Sequence, residues 1–430
     1  MFPAPHPSTR LDTVGEPPVS MAQALAHILE TAEIRTVFQP LVWMADDRVA
    51  AVEALTRGPH EHPLSSPDAL FAVARETGQL ARLDRLCVRH ALLAAQSHGV
   101  SDRMPLLINV EAAVLRPEDV REIAAMKAGI APRAHVILEI TEREIGRDPA
   151  AVLAAAREAR RVGLGIALDD VGADPTSLAL LPLLRPDVVK LDRQLIRGAD
   201  RVAVAAVAAA VSAYAESTGA VVVAEGVETD DDRAWAVAMG AHVAQGWLYG
   251  RPRELVELDV DVTPVGLLRE HPVEPGETPF SLVSHQGDIR LARKRELLAM
   301  SRHLERVAGQ WHADAALIAA SFQHDGNFTP RTARCFAELA HRSPLVVVFG
   351  AGFASAPAPG VRGVPLGLDD PLRDEWNVIV LGPHYAGALL SRDLGDQGAD
   401  LDRRFAFLVT HRRELVIHAA RTLLARLTAA

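Results

Sequence analysis

Between Glu33 and Arg251 short apolar runs alternate with longer stretches of helical periodicity, and this alternation restricts the fold more than any other feature of the chain. Apolar runs that each feed a helix before the next run begins are the mark of parallel strands joined by crossover helices. The pattern predicts strands at Val37–Val42, Val49–Leu55, Leu106–Val110, Val136–Ile140, Gly165–Asp169, Val188–Leu191, Ala220–Ala224 and His242–Ala244. Helices are predicted at Asp68–Glu76, Leu83–Gln96, Glu118–Ala125, Ala150–Arg161, Val202–Glu216 and Asp231–Met239. Eight strands over about 220 residues match the size of a closed barrel of the TIM type. A doubly wound open sheet is the alternative that periodicity alone leaves open.

Beyond this region the character changes twice. From Pro252 to Asp288 periodicity fades while Pro264, Pro272, Pro275 and Pro279 accumulate among acidic residues, which reads as a linker. Then Arg293–Trp311 reads as an amphipathic helix, Ala315–Ala320, Leu345–Phe349, Val378–Leu381 and Phe405–Val409 as strands, and Arg413–Leu427 as a helix. The expected organisation is a proline-rich tail over residues 1–30, a barrel over 31–255, a linker over 256–288 and a smaller α/β domain over 289–430.

Composition excludes several classes. Hydrophobic residues make up 49% of the chain and charged residues 23%, as in globular proteins rather than disordered ones. The net charge of -10 argues against a nucleic-acid polymer as partner. The longest uncharged apolar stretch, Val202–Ala215, falls short of the ~20 residues that cross a bilayer, so membrane insertion is not expected. The N-terminus lacks the basic patch and apolar run of a secretory signal. Cys87 and Cys335, the only two cysteines, suit small buried positions in a reducing cytoplasm.

Chemistry enters through the positions of the polar residues. Glu53, Asn109, Glu139, Asp169 with Asp170, Lys190 with Asp192, Glu225 and Gln245 stand near the C-terminal ends of seven different predicted strands. A closed parallel barrel gathers those ends on one face, where such folds carry their active sites. Singly, each acidic residue is explained by a helix cap or turn. Together they present a cost: two like charges ~4 Å apart repel by about 4 kcal/mol at an effective dielectric of 20, and several pairs would rival a domain's stability of roughly 5–15 kcal/mol. Divalent cations remove the repulsion, and carboxylate and amide oxygens favour hard ions, Mg²⁺ or Mn²⁺. Two such ions sharing an aspartate of the Asp169–Asp170 pair suit hydrolysis of a phosphodiester.

The residues Glu53-Ala54-Leu55 with Arg57, Asn109, Glu139-Ile140-Thr141-Glu142, Asp169-Asp170, Lys190-Leu191-Asp192, Glu225-Gly226-Val227-Glu228 and Gln245-Gly246 occur in the order and approximate spacing of the EAL-domain phosphodiesterases, which the segment Thr31–Pro252 resembles. The resemblance implies a modified barrel whose first strand runs antiparallel to the rest, a homodimer, and hydrolysis of cyclic di-GMP to linear pGpG. It also implies roles. Glu53, Asn109, Glu139 and Asp169 would ligate one metal, with Asp169, Asp170 and Glu225 near the second. Lys190 would position or activate the attacking water, with the base being either Lys190 or Glu225. Gln39, Arg57 and Asp192 match substrate-contacting positions, Gln245 faces the water network, and Glu142 steadies the loop after the aspartate pair.

That loop departs from the family pattern. Val171-Gly172-Ala173-Asp174-Pro175-Thr176-Ser177-Leu178 stands where the family usually has Phe-Gly-Thr-Gly-Tyr-Ser-Ser-Leu, and Glu111 replaces a serine. The departure raises an alternative in which the barrel binds cyclic di-GMP without cleaving it and signals to a partner.

The region from Arg293 to Leu427 resembles a DICT sensory domain through Thr329-Pro330-Arg331-Thr332, Leu345–Gly350, Gly360-Val361-Arg362-Gly363-Val364, Asp370-Pro371-Leu372, Glu375-Trp376 and Arg403-Arg404-Phe405. An unknown signal or protein would act there. Trp376 and Phe405, aromatic residues at strand ends, read as core. His60 and His62 read as a solvated turn.

Overall fold

The computed structural model describes residues 20–97, 104–145, 148–172, 175–197, 201–254, 264, 277–284, 288–310 and 316–428. Its first half runs α1 (Met21–Thr31), β1 (Arg35–Trp43), β2 (Val49–Arg57), α2 (Pro67–Glu76), α3 (Leu80–Ser97), β3 (Leu106–Asn109), α4 (Pro117–Ile130), β4 (Val136–Thr141), α5 (Glu142–Ile145), α6 (Pro149–Arg161), β5 (Gly165–Val171), α7 (Leu181–Leu184), β6 (Val188–Leu191), α8 (Arg193–Arg197), α9 (Arg201–Thr218), β7 (Val221–Ala224), α10 (Asp230–Ala238) and β8 (Val243–Ala244). The strands close into a barrel in sequence order, so the open-sheet alternative falls. β2 to β8 pair in parallel, whereas β1 is antiparallel to both its neighbours. The cause is local: only five residues join β1 to β2, enough for a hairpin and too few for a crossover helix.

The expected tail over residues 1–30 requires correction, because it ends sooner. Ser20 caps α1 through a reciprocal capping box with Gln23, and Ala24, Leu25, Ile28 and Leu29 bury its apolar face. Helical periodicity begins just behind the proline-rich stretch, whose composition masked it. Residues 1–19 lie outside the described residues.

The second half contains β9 (Arg290–Arg293), α11 (Lys294–Gln310), β10 (Leu317–His324), α12 (Pro330–Ala340), β11 (Val346–Ala351), β12 (Val361–Pro365), β13 (Glu375–Leu381), β14 (Ala386–Asp393), β15 (Arg404–Thr410) and α13 (Arg413–Leu424). Seven strands form one mixed sheet in the order β12-β11-β10-β13-β14-β15-β9. Strand alternation divides its side chains between two cores. Ile318, Ala320, Val348, Val378 and Val380 pack with Leu297, Leu304 and Phe336 of α11 and α12. Leu317, Ala319, Val347, Ile379 and Leu390 face the other way, with Val416, Ala419 and Leu423 of α13, in a core continuous with the barrel's helical shell. α13 and the turn after it pack against α7 and α6, so this helix is sandwiched between sheet and barrel.

Part of the expected linker is also packed. Thr278, Phe280 and Val283 are buried, and Glu375, itself wholly buried, accepts hydrogen bonds from Thr278 Oγ1 and from the Phe280 backbone N–H at 3.0 Å. Residues 255–263, 265–276 and 285–287 of that stretch lie outside the described residues. Cys87 is buried, with its thiol pushed up to about 12 by burial, whereas Cys335 is only half-buried.

Candidate active site

The pleat of the barrel strands builds the site. Leu41, Ala51, Leu107, Ile137, Ala167, Val188, Val223 and Val243 fill the barrel interior as one apolar cluster. Side chains on one face of a strand recur every two residues, so the next inward positions carry the polar groups. These are Glu53, Asn109, Glu139, Asp169, Lys190, Glu225 and Gln245, each two residues beyond an interior apolar residue. Gln39 lies two residues before Leu41 because β1 runs backwards, and it pairs in register with Glu53. A polar layer thus rests directly on an apolar one.

Lys190 occupies the centre and is 1% exposed. Its Nζ lies 3.2 Å from Glu53 Oε2, 3.3 Å from Asp169 Oδ1 and 2.6 Å from Glu225 Oε1, and it also bonds Glu139 Oε1. Glu53 accepts hydrogen bonds at 2.7 Å from Asn109 Nδ2 and from Gln245 Nε2. Gln245 Nε2 is 3.3 Å from Gln39 Oε1, and Gln39 Nε2 donates to the Gly250 carbonyl at 3.0 Å. Glu53 is 6% exposed, held by the amides around it.

Burial and mutual repulsion act together on the acids. Burial pushes Glu225 up to about 8, against the pull of Lys190, with Asp169 and Glu53 adding to the rise. Burial and then Glu53 drive Glu139 well above the ordinary carboxyl range. Burial works against the charge on Lys190, yet Asp169, Glu139, Glu225 and Glu53 outweigh it and hold the ammonium well above its ordinary pKa. Burial, Asp169 and Asp192 raise Asp170 to about 6.

Neighbouring residues in a strand point to opposite faces, yet Asp169 and Asp170 serve one site. Asp170 has φ +56°, and the β5–β6 pairing is interrupted between Leu168 and Val171. This break in alternation brings oxygens of Asp169, Asp170 and Glu225 within 4.8 Å of one another. Oxygens of Glu53, Glu139 and Glu225 form a second such group, so Glu225 belongs to both. The donor set fits divalent cations. It is all oxygen, and Glu139 Oε2 is buried without a hydrogen bond.

Glu142 is buried at the start of α5, and its Oε2 accepts the Gly172 backbone N–H at 3.0 Å. Gly172 has φ +105°, and a Cβ there would stand 2.5 Å from Leu195 Cδ1, so any other residue at this point of the loop would be strained. Ala173 and Asp174 lie outside the described residues. Asp192 is buried and accepts the Gln194 backbone N–H. Arg57 is half-buried, with Nη1 donating to the Thr56 carbonyl at 2.8 Å. The charge of Glu111 is met by Arg75 Nη2 at 2.8 Å, so this replacement adds no bare charge.

A cleft of about 220 Å³ opens over Gln39, Glu53, Glu225 and Gln245 and adds residues that the sequence reading missed: Arg193, Arg197 and Trp247. Trp247 is 55% exposed, with the Arg251 guanidinium 4.1 Å from its ring centroid. An aromatic two residues past a strand-end glutamine was the available signal. His62, in the predicted turn, accepts the Leu64 N–H through Nδ1 at 3.0 Å. No helix among the described residues is long and apolar enough to cross a membrane.

Family models match both halves of the chain. The model of the EAL domain matches residues 22–252, and that of the Sensory domain in DIguanylate Cyclases and Two-component system matches residues 283–394. The chain is 29% identical over 242 residues to the probable cyclic di-GMP phosphodiesterase PdeB of Escherichia coli, covering 54% of this chain and 45% of that one. It is 29% identical over 254 residues to the cyclic di-GMP phosphodiesterase NbdA of Pseudomonas aeruginosa, covering 56% and 32%. Less than half the length of these curated relatives is therefore spanned. A solved structure of Klebsiella pneumoniae BlrP1 in complex with calcium and cyclic di-GMP is 29% identical, covers 56% of this chain and 58% of its own, and has a TM-score of 0.46.

Proposed function

The chain belongs to the EAL domain family, and from that premise we propose that its barrel is a metal-dependent phosphodiesterase that opens cyclic di-GMP to linear pGpG. The observation that carries this reading is the gathering of Glu53, Asn109, Glu139, Asp169, Asp170, Lys190, Glu225 and Gln245 at one barrel mouth. Relatives named as cyclic di-GMP phosphodiesterases support the choice of substrate.

Glu53, Asn109, Glu139 and Asp169 would hold one divalent ion, Mg²⁺ or Mn²⁺, and Asp169, Asp170 and Glu225 the other. When bound, such ions supply Lewis acidity, making water more acidic and offsetting phosphodiester charge. Lys190 and Glu225, 2.6 Å apart, form the pair that orients the attacking water and moves its proton. Arg57 offers a planar donor to a phosphate oxygen. Gln39, Asp192 and Gln245 hold the substrate against that donor. Glu142 acts at one remove, fixing the Gly172 loop and with it the direction of the aspartate pair.

The C-terminal domain would bias turnover through α13, which packs on α7 directly after the Gly172 loop segment. The reading also includes a cytoplasmic setting, which the two free cysteines suit, and a homodimer. Purified protein incubated with cyclic di-GMP and Mg²⁺ or Mn²⁺ is expected to release pGpG, and neither the chelated protein nor Glu53→Gln is expected to do so. Tight nucleotide binding with no product at any metal concentration would replace the enzyme by a receptor.

A further inference from the structure

A large cavity in the second half of the chain shares no lining residue with the cleft at the barrel mouth. About 1010 Å³ in volume, it lies between α11 and α12, over the ends of β10 and β13. That is the size of a pocket for a drug-sized organic molecule. Leu298, Phe322, Leu339 and Trp376 supply its apolar lining. Trp376 is 6% exposed and packs edge-to-face on Phe405 with ring centroids 6.0 Å apart. Its Nε1–H is buried and has no hydrogen-bond acceptor. Burying an amide-like donor without a partner is costly, and native interiors rarely leave one so.

Charge is distributed unevenly around this lining. Arg302 and Arg306 on α11, Arg331 in the first turn of α12 and Arg342 just beyond its end border the cavity and are exposed. None forms an ion pair among the described residues. Two of the three acids at the cavity are already engaged: Lys294 takes both oxygens of Asp400 at 2.7 Å, and Glu305 accepts Ser301 Oγ at 2.7 Å. The remaining acid, Glu338, is exposed, so four arginines and Lys294 border the cavity against three carboxylates.

We propose that this cavity binds an amphipathic organic anion, an aromatic body bearing a carboxylate, sulfonate or phosphate. The body would lie on Phe322 and Trp376 with an acceptor atom taking the Trp376 Nε1–H, and the anionic group would meet the arginines, whose forked donors suit such oxygens. Neither the site nor its test depends on the barrel hydrolysing anything.

Calorimetric titration of the full chain, with chelator present, with anilinonaphthalene sulfonate tests the proposal. The expected result is saturable binding of one probe per chain, weakened by added salt. Arg302→Gln with Arg331→Gln should weaken it by about tenfold or more, since both lost contacts are charge-assisted. Trp376→Phe, which keeps an aromatic ring and removes the donor, should weaken it several-fold. N-phenylnaphthylamine, the same body without the anion, should bind by at least about an order of magnitude less tightly. Equal affinity for the two probes, or unchanged affinity in the arginine double variant, would overturn the site. The arginines are exposed, so their variants keep the test decisive even if Trp376→Phe fails to fold.

Discussion

Lys190 Nζ lies 2.6 Å from Oε1 of Glu225, the residue just past the neighbouring strand, and the same nitrogen is within reach of Glu53, Glu139 and Asp169. One buried ammonium therefore contacts four carboxylates, standing among oxygens that are themselves candidate metal ligands.

Removing that ammonium leaves buried negative charge uncompensated. Lys190→Met is expected to destabilise the metal-free protein by about 3–5 kcal/mol, as breaking a buried pair does. Mn²⁺ should recover most of the loss while leaving turnover abolished. Denaturant unfolding with and without metal reads the stability, and a variant as stable as the parent in chelator would sink the argument.

Protons and metal compete for the same oxygens. Asp170 and Glu225 have folded values raised to about 6 and about 8, so the native state retains protons that the unfolded chain releases at lower pH. Their contribution to metal-free stability is thus complete at low pH and is lost as pH rises through about 6 and then about 8. The rise in Tm produced by Mn²⁺ should grow across the same window. Scanning calorimetry from about pH 5 to about pH 9 checks this, and a metal-induced shift independent of pH would contradict it.

Glu142 Oε2 accepts the Gly172 N–H at 3.0 Å. Glu142→Gln keeps an acceptor oxygen and should retain metal affinity within a few-fold. Glu142→Ala should lose about tenfold or more, since it leaves a backbone donor near the site unpaired. Gly172→Ala should resemble the alanine variant, because its Cβ would strike Leu195. Metal titration followed by calorimetry distinguishes them; equal affinities in all three variants would show that the loop does not set the aspartates.

Glu375 is a wholly buried carboxylate that accepts bonds from Thr278, the Phe280 N–H and Asn377, with Arg392 3.6 Å away. Glu375→Ala strands those donors and should cost about 2–4 kcal/mol. It should also open the chain to protease near Thr278. An unchanged digestion pattern would mean that the 277–284 segment is held without Glu375, by Phe280, Val283 and the contacts of Glu277 with Arg426 and His418.

The barrel was legible because its strands are continuous apolar runs, and because each polar residue of the candidate site stands two residues beyond an interior side chain. The sequence also carried the resemblance that implied the reversed first strand, and the five-residue turn explains it. Other features left weaker traces. β9 is four mostly exposed residues with two arginines, and β14 opens on Ala386-Gly387-Ala388, so neither reads as a strand. In α1, eleven helical residues follow a stretch dominated by prolines. Centring Lys190 among four carboxylates depends on barrel closure, which no local pattern encodes. Trp376 was expected in the core and is buried, but its place on a cavity wall follows from how α11 and α12 splay.

The helix α13 has consequences for how this molecule comes apart. One side of it belongs to the seven-stranded sheet, and it and the turn after it pack on α7 and α6, so one apolar core runs through both halves there. Cleaving the backbone between Glu254 and Thr278 should yield a nicked species whose two fragments migrate together and melt in one step. Shortening the chain to the barrel alone would bare a leucine-rich flank and invite aggregation.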